Sequence, residues 1–214
     1  MAKDKRKMMQ NRVKKMARAA ARKSRRLQAA AASADRHKIK YGVSQAEIRA
    51  APFGRVLVSR TIAEAGLGYV VVTRKLETGG LAAGVILLDA YCLGVKDAFF
   101  RVVSATELLD LMRRSGQTFE DASPSYACKL VRDAIAYARA LGFEPHADYA
   151  DTVPVFAGAD PDACDTVFTF GKDGKPFYCS SPGQSMESAR AVIAHLTARL
   201  GKDGFHYLIG EKLP

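Results

Sequence analysis

The chain has 214 residues, which suits one domain plus a short appendage, and about half of them are apolar, enough for a core of ordinary size. No apolar run approaches the roughly 18–20 residues of a membrane-spanning helix, and the basic N-terminus lacks the apolar stretch of a secretory signal. The formal charge of +11 is unevenly placed: residues 1–40 hold 15 of the 33 Lys and Arg against two acids, Asp4 and Asp35, so they carry +13 and the remainder −2.

A cationic block of that density is a footprint of polyanion binding, with a solubilising tail as the plainer alternative. Residues 3–33 contain no Gly or Pro and are rich in Ala, Lys, Arg, Met and Gln, which predicts one long helix. Its apolar stripe (Met9, Val13, Met16, Ala20, Leu27) is thin, so the helix would fray alone and order on a phosphate backbone or an acidic protein. The cations Lys3, Lys5, Arg6, Lys7, Arg12, Lys14, Lys15, Arg18, Arg22, Lys23, Arg25 and Arg26 surround the helix rather than form one stripe. That distribution suits insertion into a folded RNA better than lying on a membrane, which requires a clear apolar face. The segment has no aromatic residue, so it would contact phosphates and shape rather than stack on bases.

Residues 1–36 therefore read as a basic helical arm, flexible when free, and residues 37–214 as a single domain. The expected partners are nucleic acid, RNA in preference to DNA, including the ribosome, and no membrane. The expected compartment is the cytoplasm. There the four cysteines, Cys92, Cys128, Cys164 and Cys179, would stay reduced. Their spacings of 36, 36 and 15 residues contain no C-x-x-C, which argues against a ribbon-type zinc site. No residue is assigned to a metal, and no cofactor is identified.

Along the body, Ser44-x-x-Glu47 is a capping box that predicts a short helix over residues 45–51, ending before Pro52. Residues 53–60, 67–76 and 81–90 read as three consecutive antiparallel strands joined by short links with Gly66, Gly68, Gly79 and Gly80. The third, apolar on both faces, is expected to be the most buried. Ser104-x-x-Glu107 opens a helix that runs to Gly116. Ser123-Pro124 and the repeat Cys128, Val131, Ile135, Ala138, Leu141 predict a helix over residues 124–141, stopped by Gly142. Residues 143–166 are irregular. Gly171-Lys172-Asp173-Gly174 predicts a hairpin between residues 167–170 and 176–179, followed by a helix over 184–200 and a last strand over 204–209. The class is α+β: a three-stranded antiparallel meander followed by helices, then a β-hairpin and a C-terminal helix, with a basic helical N-terminal arm.

Chemistry-bearing residues concentrate after the third strand. Asp89 ends its apolar run, and Cys92, Lys96 and Asp97 follow within eight residues. The end of a buried strand is a common place for a site. Asp89 and Asp97 could bind a divalent metal, Cys92 could act as nucleophile and Lys96 could hold a phosphate. His146 and Asp148, in Gly142-Phe143-Glu144-Pro145-His146-Ala147-Asp148-Tyr149, could complete a Cys/His/Asp set. These residues define an alternative function, a metal- or thiol-dependent hydrolase or nuclease with its site at the Asp89–Asp97 loop. The plainer reading is that Asp89 caps a turn or pairs with a base, Gly94 turns the chain and Cys92 is a small core residue. A third function is a protein-interaction module whose arm docks on an acidic partner. The phosphate-loop spacing G-x-x-x-x-G-K-[ST] is absent, so Lys172 and Lys175 read as turn residues.

The run LLDAYCLGVKDAFF (Leu87 to Phe100), with GFEPHADY and FGKDGKPFY further on, resembles a family of uncharacterised bacterial proteins that share an LVD-x-x-CLGVKD-like core. The resemblance covers roughly residues 53–209. It implies a bacterial cytoplasmic protein and marks Asp89, Cys92, Gly94, Lys96 and Asp97 as positions to test. It carries no activity with it.

Overall fold

The computed structural model describes Lys15, Arg18, Arg22 and residues 36–181 and 183–210, in two compact units, Met1–Ala46 and Glu47–Pro214. In the first unit Lys15, Arg18 and Arg22 are helical and exposed. The other nine cations of the arm, and most of the helix expected over residues 3–33, lie outside the described residues. Residues 36–41 are helical and end at Gly42, whose positive φ of 73° lets its N–H reach the Lys38 carbonyl at 2.8 Å. His37 is buried, with Nδ1 3.0 Å from the Val43 carbonyl. The short helix α1, Gln45–Ala50, buries Ile48.

The second unit is α+β, built on a five-stranded antiparallel sheet. The expected meander is present as β1 (Phe53–Ser59), β2 (Leu67–Lys75) and β3 (Leu81–Asp89). It continues into β4 (Gly94–Val103), and β5 (Phe119–Asp121) pairs with the far side of β1, giving the order β4-β3-β2-β1-β5. What the sequence offers as a loop after Asp89 is thus a tight turn at residues 90–93 followed by an edge strand. The charges that disguise β4 have a structural use: Lys96, Asp97 and Arg101 on an edge strand discourage pairing with other chains. The link from β1 to β2 holds one further helical turn, α2 (Thr61–Ala65). It is closed by Gly66 at φ 74°, where a Cβ would run into the Tyr91 ring.

Both faces of the sheet are covered. On one, Leu57, Val71, Ala83, Val85 and Val103 pack under Leu108 of α3 (Ala105–Arg114). The capping box opens α3 as expected: Ser104 accepts from the Glu107 N–H, and the Glu107 carboxylate accepts from the Ser104 N–H at 2.7 Å. Such a cap stabilises a helix by about 1 kcal/mol. The other face, with Val70, Val72, Ile86 and Leu88 fully buried, carries α4 (Pro124–Ala140), α5 (Tyr149–Thr152) and a 3₁₀ turn at Val153–Phe156. Two glycines permit that approach. A Cβ on Gly84 would sit 3.0 Å from Val155, and one on Gly94 would sit 2.8 Å from the Ala138 Cβ. Arg74 of β2 is buried and staples the layers together. Its guanidinium donates to the carbonyls of Val155 and Ala51, each at 2.8 Å, and of Ala157, and lies 3.5 Å over the Phe53 ring.

The last quarter forms a second, smaller layer. Lys172 and Lys175 exchange backbone hydrogen bonds around Asp173 (φ 52°) and Gly174 (φ 78°), a two-residue turn of type I′. The strand leaving it, β6 (Phe177–Cys179), pairs in parallel with β7 (His206–Leu208) across α6 (Met186–Leu200), while residues 167–170 belong to neither sheet. A cluster of Leu141, Tyr178, Ala189, Leu196 and Phe205 holds this layer against the turn that contains Cys92. Among the described residues no helix is long and apolar enough to cross a membrane.

Candidate functional site

The turn after β3 is organised by Asp89. Its carboxylate is buried and accepts the backbone N–H groups of Tyr91 at 3.0 Å and Cys92 at 2.9 Å, with that of Leu93 adding to the set. A short acceptor at the start of a turn does this work because the turn leaves its amides pointing inward with no strand partner. Burial pushes the Asp89 pKa up, against the opposing pull of the Lys96 charge and of those amides. Gly94, at φ 66°, returns the chain into β4.

Cys92 is fully buried beside Asp89. Burial first, and the Asp89 charge second, push its thiol up to about 12. A thiol at that value holds a thiolate fraction on the order of 1 in 100,000 at neutral pH, and the thiolate is the nucleophile. Tyr137, which reaches the Tyr91 carbonyl at 3.4 Å, is likewise pushed up to about 12 by burial and by the charges of Cys92 and Asp89. Lys96 is the extra residue of a β-bulge, since Leu87 and Leu88 face Asp97 and Val95. The bulge turns its ammonium toward the second layer, where it donates to the Cys179 carbonyl at 3.0 Å.

Asp97 goes the other way, to the surface. It lies 3.6 Å from Nδ1 of His146, which is itself 4.0 Å from Asp148. The His146 backbone N–H is tied to the Val95 carbonyl at 3.0 Å, so the corner after α4 is sewn to β4. The structure thus gathers Asp97, His146 and Asp148 outside and Asp89, Cys92 and Lys96 inside. No hydrogen bond joins Cys92 to His146 among the described residues, and among them no group of three or more His, Cys, Asp or Glu side chains is placed to hold a metal ion.

The open site lies elsewhere, and sequence reading passes over it. A cleft of about 610 Å³ opens on the α4 face of the sheet, where the start of α4 stands off from the ends of β1 and β5. Val58 and Ile62 line its depth, Tyr126 and Leu130 of α4 form one wall, and Phe168 and Phe170 of the segment 167–170 form another. Arg60 and Glu120 line it as well, joined from Nε to Oε1 at 2.7 Å and both more than half exposed. Tyr126 and Phe168 meet edge to face, with centroids 5.0 Å apart and planes at 82°. Lys129 braces the segment by donating to the Thr166 carbonyl at 2.8 Å and standing 5.0 Å over the Phe168 ring. Burial raises the Tyr126 phenol, and nearby Cys164 and Glu120 add to it, so the phenol stays neutral. The one sequence signal was the alternation Val167-Phe168-Thr169-Phe170, which reads as half of a hairpin. Ala90, from the turn that Asp89 caps, also lines the cleft.

Set against protein-family models, curated proteins and solved structures, the chain matches none.

Proposed function

We propose that this protein binds nucleic acid, structured RNA or the ribosome rather than DNA, through the cationic segment at its N-terminus, and that it works in the bacterial cytoplasm. The observation that carries the reading is charge segregation: +13 in residues 1–40 beside −2 in the rest. A cationic helix meeting a phosphate backbone releases condensed counterions, and that release drives binding without sequence reading. Lys15, Arg18 and Arg22, three and four residues apart, are helical and exposed, as a phosphate-facing edge requires. The resemblance to a bacterial family with an LVD-x-x-CLGVKD-like core supports the compartment. The interior state of Cys92 supports binding over thiol chemistry.

The test is purification at low salt without nuclease, followed by binding to a fluorescent structured RNA. Nucleic acid should accompany the full chain. Deleting residues 2–33, or replacing the twelve arm cations with Gln, should remove RNA binding while the unfolding transition is kept. Undiminished RNA affinity in both variants would overturn the proposal. An acidic protein co-purifying in place of nucleic acid would transfer the arm to a protein partner.

A further inference from the structure

We propose that the cleft between α4, the ends of β1 and β5, and residues 167–170 takes a single unstacked nucleobase. The inference rests on the RNA-binding reading and deepens it: the arm would hold phosphates, and the cleft would hold a base that the RNA splays out.

Three features point to that ligand. The first is size and wall chemistry: about 610 Å³ falls within the roughly 300–1,000 Å³ typical of small-ligand clefts, and the walls are aromatic and aliphatic. Proteins that read RNA do so mainly on unpaired bases laid against aromatic rings. The edge-to-face arrangement of Tyr126 and Phe168 sets two walls at right angles, one to stack on a flat ring and one to stop its edge.

The second is the polar pair. Arg60 and Glu120 are joined through Nε and Oε1 alone, which leaves the guanidinium NH₂ groups as donors and Oε2 as an acceptor on the same cleft wall. A nucleobase edge presents an acceptor and a donor side by side, the complement of this pair. Ser123 adds a hydroxyl that accepts from the Tyr126 N–H at 3.1 Å and retains its own hydrogen to donate. The third feature is the charge balance. Glu120 pairs with Arg60, and Asp121, which also lines the cleft, pairs with Arg55, so the cleft offers no net attraction to a phosphate, and a base is favoured over a free anion.

The experiment titrates the full-length ¹⁵N-labelled protein with adenosine 5′-monophosphate and, separately, with ribose 5-phosphate. The nucleotide should shift the amides of residues 120–126 and 167–170, and the sugar phosphate should leave them in place. Phe168→Leu keeps the apolar bulk and loses the ring face. It should weaken nucleotide binding by roughly 5- to 150-fold, the effect of losing one base–aromatic stack. Glu120→Gln removes the charge at constant shape and should also weaken binding. Equal shifts from both probes, no shift in the cleft, or wild-type nucleotide affinity in Phe168→Leu would overturn the proposal. The full chain with its twelve arm cations changed to Gln separates the two readings. If it loses RNA but binds the nucleotide, both hold. If it keeps RNA at undiminished affinity, the arm reading fails, and the cleft is judged on the nucleotide alone.

Discussion

The turn at residues 90–93 and the cleft walled by residues 167–170 are neighbours that share Ala90, yet they use polar residues in opposite ways. At the turn a carboxylate and a thiol face inward; Asp89 is occupied by backbone amides, and burial holds Cys92 protonated. At the cleft, half-exposed groups make one bond each and keep donors and acceptors to spare. Reactive residue types in a tight sequence cluster therefore marked the part of this unit that is structurally committed. The capacity to bind lies beside it, on residues that carry no motif.

That contrast can be broken most severely at Asp89. Asp89→Ala strands backbone N–H groups inside the protein and should cost about 3 kcal/mol or more, whereas Glu120→Ala, which breaks an exposed pair, should stay within about 0.5 kcal/mol. Urea midpoints measure both, and equal losses would show that the turn and the cleft are not different in kind. Gly94→Ala comes next. It forces a Cβ at φ 66° to within 2.8 Å of Ala138, at a cost of about 2 kcal/mol, while Gly183, with open space around it, should tolerate Ala at only the cost of its positive φ.

A pH series sharpens the same point. Burial raises the Asp89 pKa above its unfolded value of about 3.9. Between the two values the folded state keeps a proton that the unfolded state has lost, so stability falls as pH rises through that window. The advantage of the wild type over Asp89→Asn should accordingly be largest near pH 4 and shrink above it; an advantage that grows with pH would contradict the burial of this carboxylate. The smallest effect is kinetic. Alkylation of the native protein near pH 8 should modify Cys92 last, after the half-buried Cys128, Cys164 and Cys179, which mass spectrometry of peptides resolves.

Much of the fold was legible because it is written locally. The helix α4 shows an N-cap serine, a first-turn proline, a three-to-four repeat and a terminal glycine, and it runs from Pro124 to Ala140. The type I′ turn follows from Asp173-Gly174 alone. What was not legible depends on distant partners. Lys96 and Asp97 looked like chemistry because an edge strand and a β-bulge both put charges into an apolar stretch. The parallel pairing of β6 with β7 has no local signature, since the two strands are separated in sequence by the whole of α6. The cleft draws on four stretches of the chain, residues 58–63, 90, 120–130 and 167–170, and no spacing rule connects Arg60, Glu120, Tyr126 and Phe168. Asp89, Cys92 and His146 stand out in the sequence as chemistry-bearing residues, but sequence carries no depth: burial raises the Cys92 thiol to about 12, and His146 lies 3.6 Å from Asp97.

The most direct measurement of the central claim is a salt titration of RNA binding, with the full chain and with the variant whose twelve arm cations are Gln. The expected result is a linear fall of log K with log salt at about 0.7 to 0.9 per phosphate contacted, hence a slope of about −4 or steeper for six contacts, that collapses in the neutralised variant. A slope that is shallow in the full chain, or equal in the two proteins, would contradict the assignment of the arm to nucleic acid.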